Sequence, residues 1–217
     1  MPAASRAHVT IDQESALGTS IARLAREFDN LFGLEIVERF VRTSYDDLAA
    51  AATVPNYLPL LTEKFARQRL RALARVEGLE VDGLPTVLFL CVHNAGRSQM
   101  ALGFFQHYAG DAAVGWSGGS VPGTVVDPVA IAAMRERDID ISGEYPKHWT
   151  DEVVRAADAV ITMGCGDACP IFPGKRYEEW TLPDPAGWTL EQARPVRDEI
   201  EKRVLNLLDE LNVPGRI

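Results

Sequence analysis

The chain has 217 residues, of which 47% are hydrophobic and 24% are charged, a composition typical of a folded protein of one or two domains. Its net charge of −9 argues against nucleic acid or an anionic membrane as a partner. The N-terminal residues lack the pattern of a signal peptide, and no apolar run is long enough to span a bilayer, so we expect a cytoplasmic protein.

The first third of the sequence has the pattern of helices. Apolar residues recur at spacings of three and four in three successive segments, which are separated by a break at Gly33 and by a turn signal at residues 54–56. This pattern predicts a small three-helix bundle over residues 12–78. So few residues form a core that gives only marginal stability. We therefore expect the bundle to pack on its own enzyme domain or to form a homodimer with a second copy.

Strands alternate with helices over residues 84–217, which predicts an α/β domain with an open sheet. The continuous apolar run at residues 86–91 is typical of a parallel strand that is covered on both faces. Further strands are predicted at residues 114–116, 159–163 and 177–181. The site of such a sheet lies at the carboxyl ends of its strands, which is where Cys91 falls.

The loop after this first strand carries the candidate chemistry. Five residues separate Cys91 from Arg97, enough to surround a tetrahedral anion with backbone N–H groups. Gly96 or Asn94 can adopt the positive φ that such a loop needs, and the guanidinium of Arg97 can bind two oxygens at once. The positive end of the following helix favours a nucleophilic thiolate at Cys91. The predicted oxyanion-binding residues are Val92, His93, Asn94, Ala95, Gly96, Arg97 and Ser98.

Asp184 is a candidate proton donor. It lies between two prolines, which stiffen the backbone and can hold the carboxyl group over the loop, where it could protonate a leaving oxygen. Taken alone, an aspartate in a proline-rich turn is more often a solvated turn residue.

Cys165 and Cys169 follow the third predicted strand, at the same edge of the sheet as Cys91. A spacing of four allows a disulfide if the segment is helical or tightly looped. The alternatives are simple packing or part of a zinc site, but two further zinc ligands are missing nearby. We therefore expect no metal and no bound cofactor.

The loop from Cys91 to Arg97 and Ser98, together with Asp184 before a proline, resembles the low-molecular-weight tyrosine phosphatase fold. It is more similar still to the thiol-dependent arsenate reductases built on that fold. The resemblance covers about residues 85–211 and implies a four-stranded parallel sheet flanked by helices. It also implies Cys91 as nucleophile, Arg97 and the loop amides as oxyanion binder, and Asp184 as general acid and base.

Two departures from the phosphatases favour the reductase branch. Gln99 stands where phosphatases of this fold usually have proline. Ala186 and Gly187 follow the Asp-Pro pair, where tyrosine phosphatases carry aromatic residues that could hold a phosphotyrosine ring. The resemblance is therefore to three-cysteine arsenate reductases, here with an N-terminal three-helix domain.

The resemblance implies that Cys91 attacks arsenate, that Cys165 then attacks Cys91 and releases arsenite, and that Cys169 takes over the disulfide and presents it to thioredoxin. The two later cysteines are closer in sequence than in the best-known reductases of this type. Two alternatives therefore stay open. One is a reductase that uses mycothiol or glutathione, and the other is a phosphatase acting on phosphotyrosine or small molecules.

Overall fold

The computed structural model describes residues 10–50, 57–79, 83–164 and 171–214. The chain divides into two compact units, residues 1–80 and residues 81–217. Among the described residues, no helix is both long enough and apolar enough to cross a membrane.

The first unit consists of three helices, α1 (Ile11–Glu27), α2 (Leu34–Ala49) and α3 (Leu58–Val76). Helix α1 begins at a capping box, in which Thr10 and Gln13 exchange hydrogen bonds. The turn predicted at residues 54–56 lies outside the described residues. The apolar faces meet in a core that includes Leu17, Leu24, Val37, Val41, Phe65 and Leu70.

A buried carboxylate links two of these helices. Glu63 on α3 accepts a hydrogen bond of 2.8 Å from the hydroxyl of Ser20 on α1. The same carboxylate pairs with Arg67 at 3.0 Å and with Arg23 at 3.2 Å. Because a buried charge is unfavourable unless it is paired, these contacts satisfy the carboxylate and link α1 to α3.

The second unit contains the predicted four-stranded parallel sheet, flanked by helices. Its strands are β1 (Thr86–Cys91), β2 (Val114–Gly119), β3 (Ala159–Met163) and β4 (Arg176–Glu179), in the order β2-β1-β3-β4. Strand β2 is longer than predicted because it continues through Gly118 and Gly119. Glycine has a low strand propensity, so the sequence does not predict a strand at these two positions. Strand β4 ends before the predicted residue 181.

Four helices cover the sheet, α4 (Arg97–Ala109), α5 (Pro128–Arg135), α6 (Asp151–Ala156) and α7 (Leu190–Glu210). Helix α7 begins at a capping box, in which Thr189 and Gln192 exchange hydrogen bonds. Pro195 lies inside α7, which starts at Leu190. The core between helices and sheet includes Phe89, Phe104, Phe105, Met134 and Ile200.

The strand register decides where the loops meet. Cys91, the last residue of β1, pairs with Gly119 at the end of β2 and with Met163 at the end of β3. The segments that follow these three strands therefore leave the sheet at one common edge.

Candidate active site

Two hydrogen-bond donors converge on the sulfur of Cys91. The Sγ atom lies 3.2 Å from the backbone N–H of Asn94 and 3.0 Å from the hydroxyl of Ser98. The Ser98 hydroxyl accepts a hydrogen bond of 2.8 Å from Nδ2 of Asn94, so its own proton is available to donate to the sulfur. The sulfur is therefore placed as a hydrogen-bond acceptor for both groups.

Asn94 takes the left-handed backbone conformation of the loop. Its φ is +47°, whereas the φ of Gly96 is −120°, so the expectation that Gly96 could supply the positive φ is wrong. The Asn94 side chain is fully buried, and its Oδ1 accepts a hydrogen bond of 3.0 Å from the backbone N–H of Lys147. Asparagine tolerates this conformation better than most residues when its side chain is hydrogen-bonded in this way.

The carbonyl groups of the loop point outward. Those of Val92, His93 and Ala95 accept hydrogen bonds of 2.8–2.9 Å from backbone N–H groups of the 121–127 segment. In a trans peptide the carbonyl and the following N–H point in opposite directions. The N–H groups that follow these three carbonyls are therefore turned toward the interior of the loop, where an anion would lie.

Arg97 and Asp184 are in direct contact. Nη2 of Arg97 donates to Oδ2 of Asp184 at 2.8 Å, and Nη1 donates to the carbonyl of Leu182 at 3.2 Å. The Arg97 side chain is 7% exposed, whereas that of Asp184 is 44% exposed. The structure thus brings the guanidinium and the carboxyl group that the sequence singled out to the same place.

These side chains open into one cavity of about 380 Å³. Among the described residues that line it, none is Phe, Tyr or Trp. The cavity can hold a tetrahedral oxyanion but offers no aromatic wall for a phosphotyrosine ring. Residues from three segments of the chain line it, including Cys91, His93, Arg97, Asp127, Asp184 and Ala186.

The ring of His93 is hydrogen-bonded to a segment outside the loop. Its ring Nδ1 lies 3.1 Å from the carbonyl of Val121, and because a carbonyl can only accept, that nitrogen carries the proton. The side chain is thereby bonded to the neighbouring segment at the rim of the cavity.

Residues 86–215 match the family described as low molecular weight phosphotyrosine protein phosphatase. The chain belongs to this family. Residues 17–74, in the helical unit, match a second description, the N-terminal domain of protein-tyrosine-phosphatase-like proteins.

Similar members of the phosphatase family are arsenate reductases. The thioredoxin-dependent arsenate reductase of Corynebacterium glutamicum is 40% identical, with a TM-score of 0.81 over 91% of this chain and 97% of that chain. Arsenate reductase 2 of Staphylococcus saprophyticus is 37% identical over 57% of this chain and 96% of its own length. A solved arsenate reductase in a phosphate-binding state is 35% identical, with a TM-score of 0.51 over 59% of this chain and 99% of that chain. The resemblance stated from the sequence is confirmed.

Cys165 and Cys169 lie outside the described residues. The chain is described up to Gly164, which follows the last residue of β3. Gly164 has a φ of +76°, and a Cβ atom built on it would lie 3.0 Å from Nη1 of Arg97. Gly164 therefore lies directly beside the Arg97 side chain. Among the described residues, no cluster of three His, Cys, Asp or Glu side chains could hold a metal ion.

Sequence reasoning missed several residues around the loop of residues 91–98. The side chain of Lys147 is buried, with its Nζ 3.2 Å from the hydroxyl of Ser117 and 4.6 Å from the ring centre of Tyr145. Burial raises the pKa of Tyr145 well above its usual value of about 10, so this phenol stays protonated. No sequence pattern predicts that a single lysine in a connecting segment has a buried side chain.

Gly119 is a second residue that was missed, although paired glycines at a strand end are a usable signal. A Cβ atom at this position would lie 2.7 Å from the carbonyl oxygen of Val92 and 3.0 Å from the backbone nitrogen of Asn94. The loop of residues 91–98 therefore packs directly against the backbone at Gly119, where no side chain intervenes.

We expect Gly119→Ala to lower kcat/KM for the oxyanion substrate by about 10-fold and to cost about 1–3 kcal/mol of stability, because the new methyl group pushes the loop away. Steady-state kinetics and thermal unfolding measure the two effects. Gly143→Ala is the matched control, since no atom lies within 4 Å of a Cβ atom there. Wild-type kinetics in Gly119→Ala would contradict the close packing.

Proposed function

We propose that this enzyme reduces arsenate to arsenite by thiol chemistry, with Cys91 as the nucleophile. The observation that carries the proposal is the sulfur of Cys91 itself. It accepts hydrogen bonds from two donors and lies in a cavity that also contains Arg97 and Asp184. The arsenate reductases among its relatives support arsenate as the oxyanion.

The first step forms a bond between sulfur and arsenic. The Cys91 thiolate attacks the arsenic of hydrogen arsenate, and the hydroxyl group leaves as water after it takes a proton from Asp184. Arg97 and the inward N–H groups of the loop stabilise the negative charge on the remaining oxygens. Asp184 is suited to this role because it reaches the rim of the same cavity.

The second step supplies the electrons. The Cys165 thiolate attacks the Cys91 sulfur, an S–S bond forms, and the S–As bond breaks with its electron pair left on arsenic, which becomes arsenite. Cys169 then attacks Cys165, and Cys91 leaves as a thiolate. The Cys165–Cys169 disulfide is finally reduced by an external dithiol.

The strand register supports Cys165 as the attacking residue. Met163 pairs with Cys91, and neighbouring strands lie about 4.8 Å apart. Cys165 is two residues further on, and each residue spans at most about 3.6 Å. Of the two later cysteines, Cys165 is the nearer along the chain to the residue that pairs with Cys91, so we assign the attack to Cys165.

Thioredoxin is the proposed reductant, and mycothiol is the alternative. The similarity to a thioredoxin-dependent reductase over 97% of that chain favours thioredoxin. The reaction requires reduced thiols, which fits the cytoplasm. A homodimer formed through the helical unit stays a prediction, which light scattering of the full chain can test.

The decisive assay follows arsenate-dependent NADPH consumption with thioredoxin and thioredoxin reductase, and separately with a mycothiol or glutathione system. We expect turnover with thioredoxin and arsenite as the product. Hydrolysis of p-nitrophenyl phosphate without a reductant, and no NADPH consumption with any thiol system, would instead identify a phosphatase.

The proposed shuttle predicts a trapped intermediate. In Cys169→Ser, the Cys91–Cys165 disulfide has no internal thiol to attack it, so one such disulfide and one arsenite should accumulate per chain. Mass spectrometry of the oxidised protein identifies the bond, and Cys91→Ser is the control that should form none after arsenate. Thioredoxin-driven turnover of Cys169→Ser at the wild-type rate would contradict the assigned order of the cysteines.

A further inference from the structure

Gln99 joins the loop of residues 91–98 to a distant part of the chain. It is the third residue of α4 and is fully buried. Its Nε2 donates to the carbonyl of Asn94 at 3.0 Å and to the carbonyl of Tyr145 at 3.1 Å. Both partners are carbonyl oxygens, which only accept hydrogen bonds. The amide nitrogen of Gln99, and not its amide oxygen, must therefore face them.

Gln99 holds the loop by a different kind of contact from the other residues around it. Every carbonyl from Val92 to Gly96 accepts a hydrogen bond on the outer side of the loop. Four of these bonds come from backbone N–H groups, three in the 121–127 segment and one at Met100. The bond to the Asn94 carbonyl comes from the side chain of Gln99, whereas the other four donors found among the described residues are backbone N–H groups.

The peptide unit that depends on Gln99 is the one between Asn94 and Ala95. Because the carbonyl and the N–H of a trans peptide point in opposite directions, holding the Asn94 carbonyl outward turns the Ala95 N–H inward. Asn94 is also the residue with positive φ, a conformation that costs energy in a residue other than glycine and needs surrounding contacts to persist.

We propose that Gln99 is a positioning residue that orients the Ala95 N–H toward the bound oxyanion. It touches neither the substrate nor the sulfur and acts through the Asn94–Ala95 peptide. The inference rests on the proposed oxyanion site but not on reductase chemistry, so a binding experiment can test it without turnover.

Gln99→Met is the test variant, since methionine has a similar length and no donor. We expect the Kd for inorganic phosphate, measured by calorimetry, to rise about 10-fold, because one donor to the anion is lost. The rate constant for alkylation of Cys91 by the neutral reagent iodoacetamide should stay within about twofold of the wild-type value, because the Asn94 N–H and Ser98 still contact the sulfur. Gln106→Met makes the same chemical change on the exposed face of α4 and should alter neither value.

An unchanged phosphate Kd in Gln99→Met would overturn the inference. A joint loss of phosphate binding and Cys91 reactivity, with a lower thermal midpoint, would overturn it too, because it would indicate collapse of the whole loop. If Gln99→Met does not fold, NMR of the wild-type protein decides. The Ala95 amide proton should shift downfield on addition of phosphate, and an unmoved resonance in a phosphate-bound protein would contradict the inference. A wild-type protein that binds no phosphate would instead refute the oxyanion site itself.

Discussion

Cys91→Ser should abolish arsenate reduction, with a loss of about 10⁵-fold or more, the scale expected when a covalent nucleophile is removed. Serine keeps the size of the side chain and can still contact the Asn94 N–H and Ser98. Its hydroxyl is not ionised near neutral pH, and its oxygen cannot pass into a disulfide, so both the attack and the electron transfer fail. Arsenite formation in single-turnover and steady-state assays measures the effect.

Phosphate binding separates this chemical loss from a structural one. Because the N–H groups and Arg97 remain in place, Cys91→Ser should bind inorganic phosphate within a few-fold of the wild-type affinity. Measurable arsenite production by Cys91→Ser would contradict the role of this sulfur, while loss of phosphate binding would mean that the serine variant had disturbed the loop.

The sequence was sufficient where chemistry and periodicity are local. The apolar run of β1, the glycine within the loop and the start of α4 follow one another directly, so the position of Cys91 at the strand end could be read without a structure. The helical unit was predictable for the same reason, because each helix shows its own apolar face.

The contacts that complete the site join residues far apart in the chain, and no local pattern announces them. Gly119 is required because the β1 loop packs against its backbone. Lys147 is buried beside Tyr145 and donates its backbone N–H to Asn94, 53 residues away in the sequence. Gln99 was noticed as a difference from phosphatases, but its bond to the Asn94 carbonyl became visible only in the structure.

Asp184→Asn should have opposite effects on catalysis and on binding. We expect the rate of arsenite formation in a single turnover to fall by about 10²–10⁴-fold, because asparagine cannot protonate the leaving hydroxyl. The affinity for inorganic phosphate should instead rise. The Asp184 carboxylate accepts a hydrogen bond of 2.8 Å from Nη2 of Arg97, so an incoming anion must compete with it for the guanidinium.

Asp127→Asn is the matched control, because Asp127 lines the same cavity. It removes one negative charge there, and asparagine can still cap α5 through the bond to the Val129 N–H. Any gain in phosphate affinity in this variant measures the general electrostatic effect. A larger gain in Asp184→Asn identifies competition at Arg97, and equal gains would contradict it. A wild-type turnover rate in Asp184→Asn would exclude Asp184 as the proton donor.

The backbone hydrogen bonds from the 121–127 segment bear on how this protein can change during evolution. Those bonds require an N–H group at Val121, Gly123 and Asp127 but no particular side chain. Proline, which has no N–H, is present at positions 122 and 128 and at none of the three donor positions. Side chains between the donors, such as Thr124 and Val125, line the cavity. Mutation of these side chains can therefore change the entrance of the cavity while the backbone hydrogen bonds that hold residues 92–95 are kept.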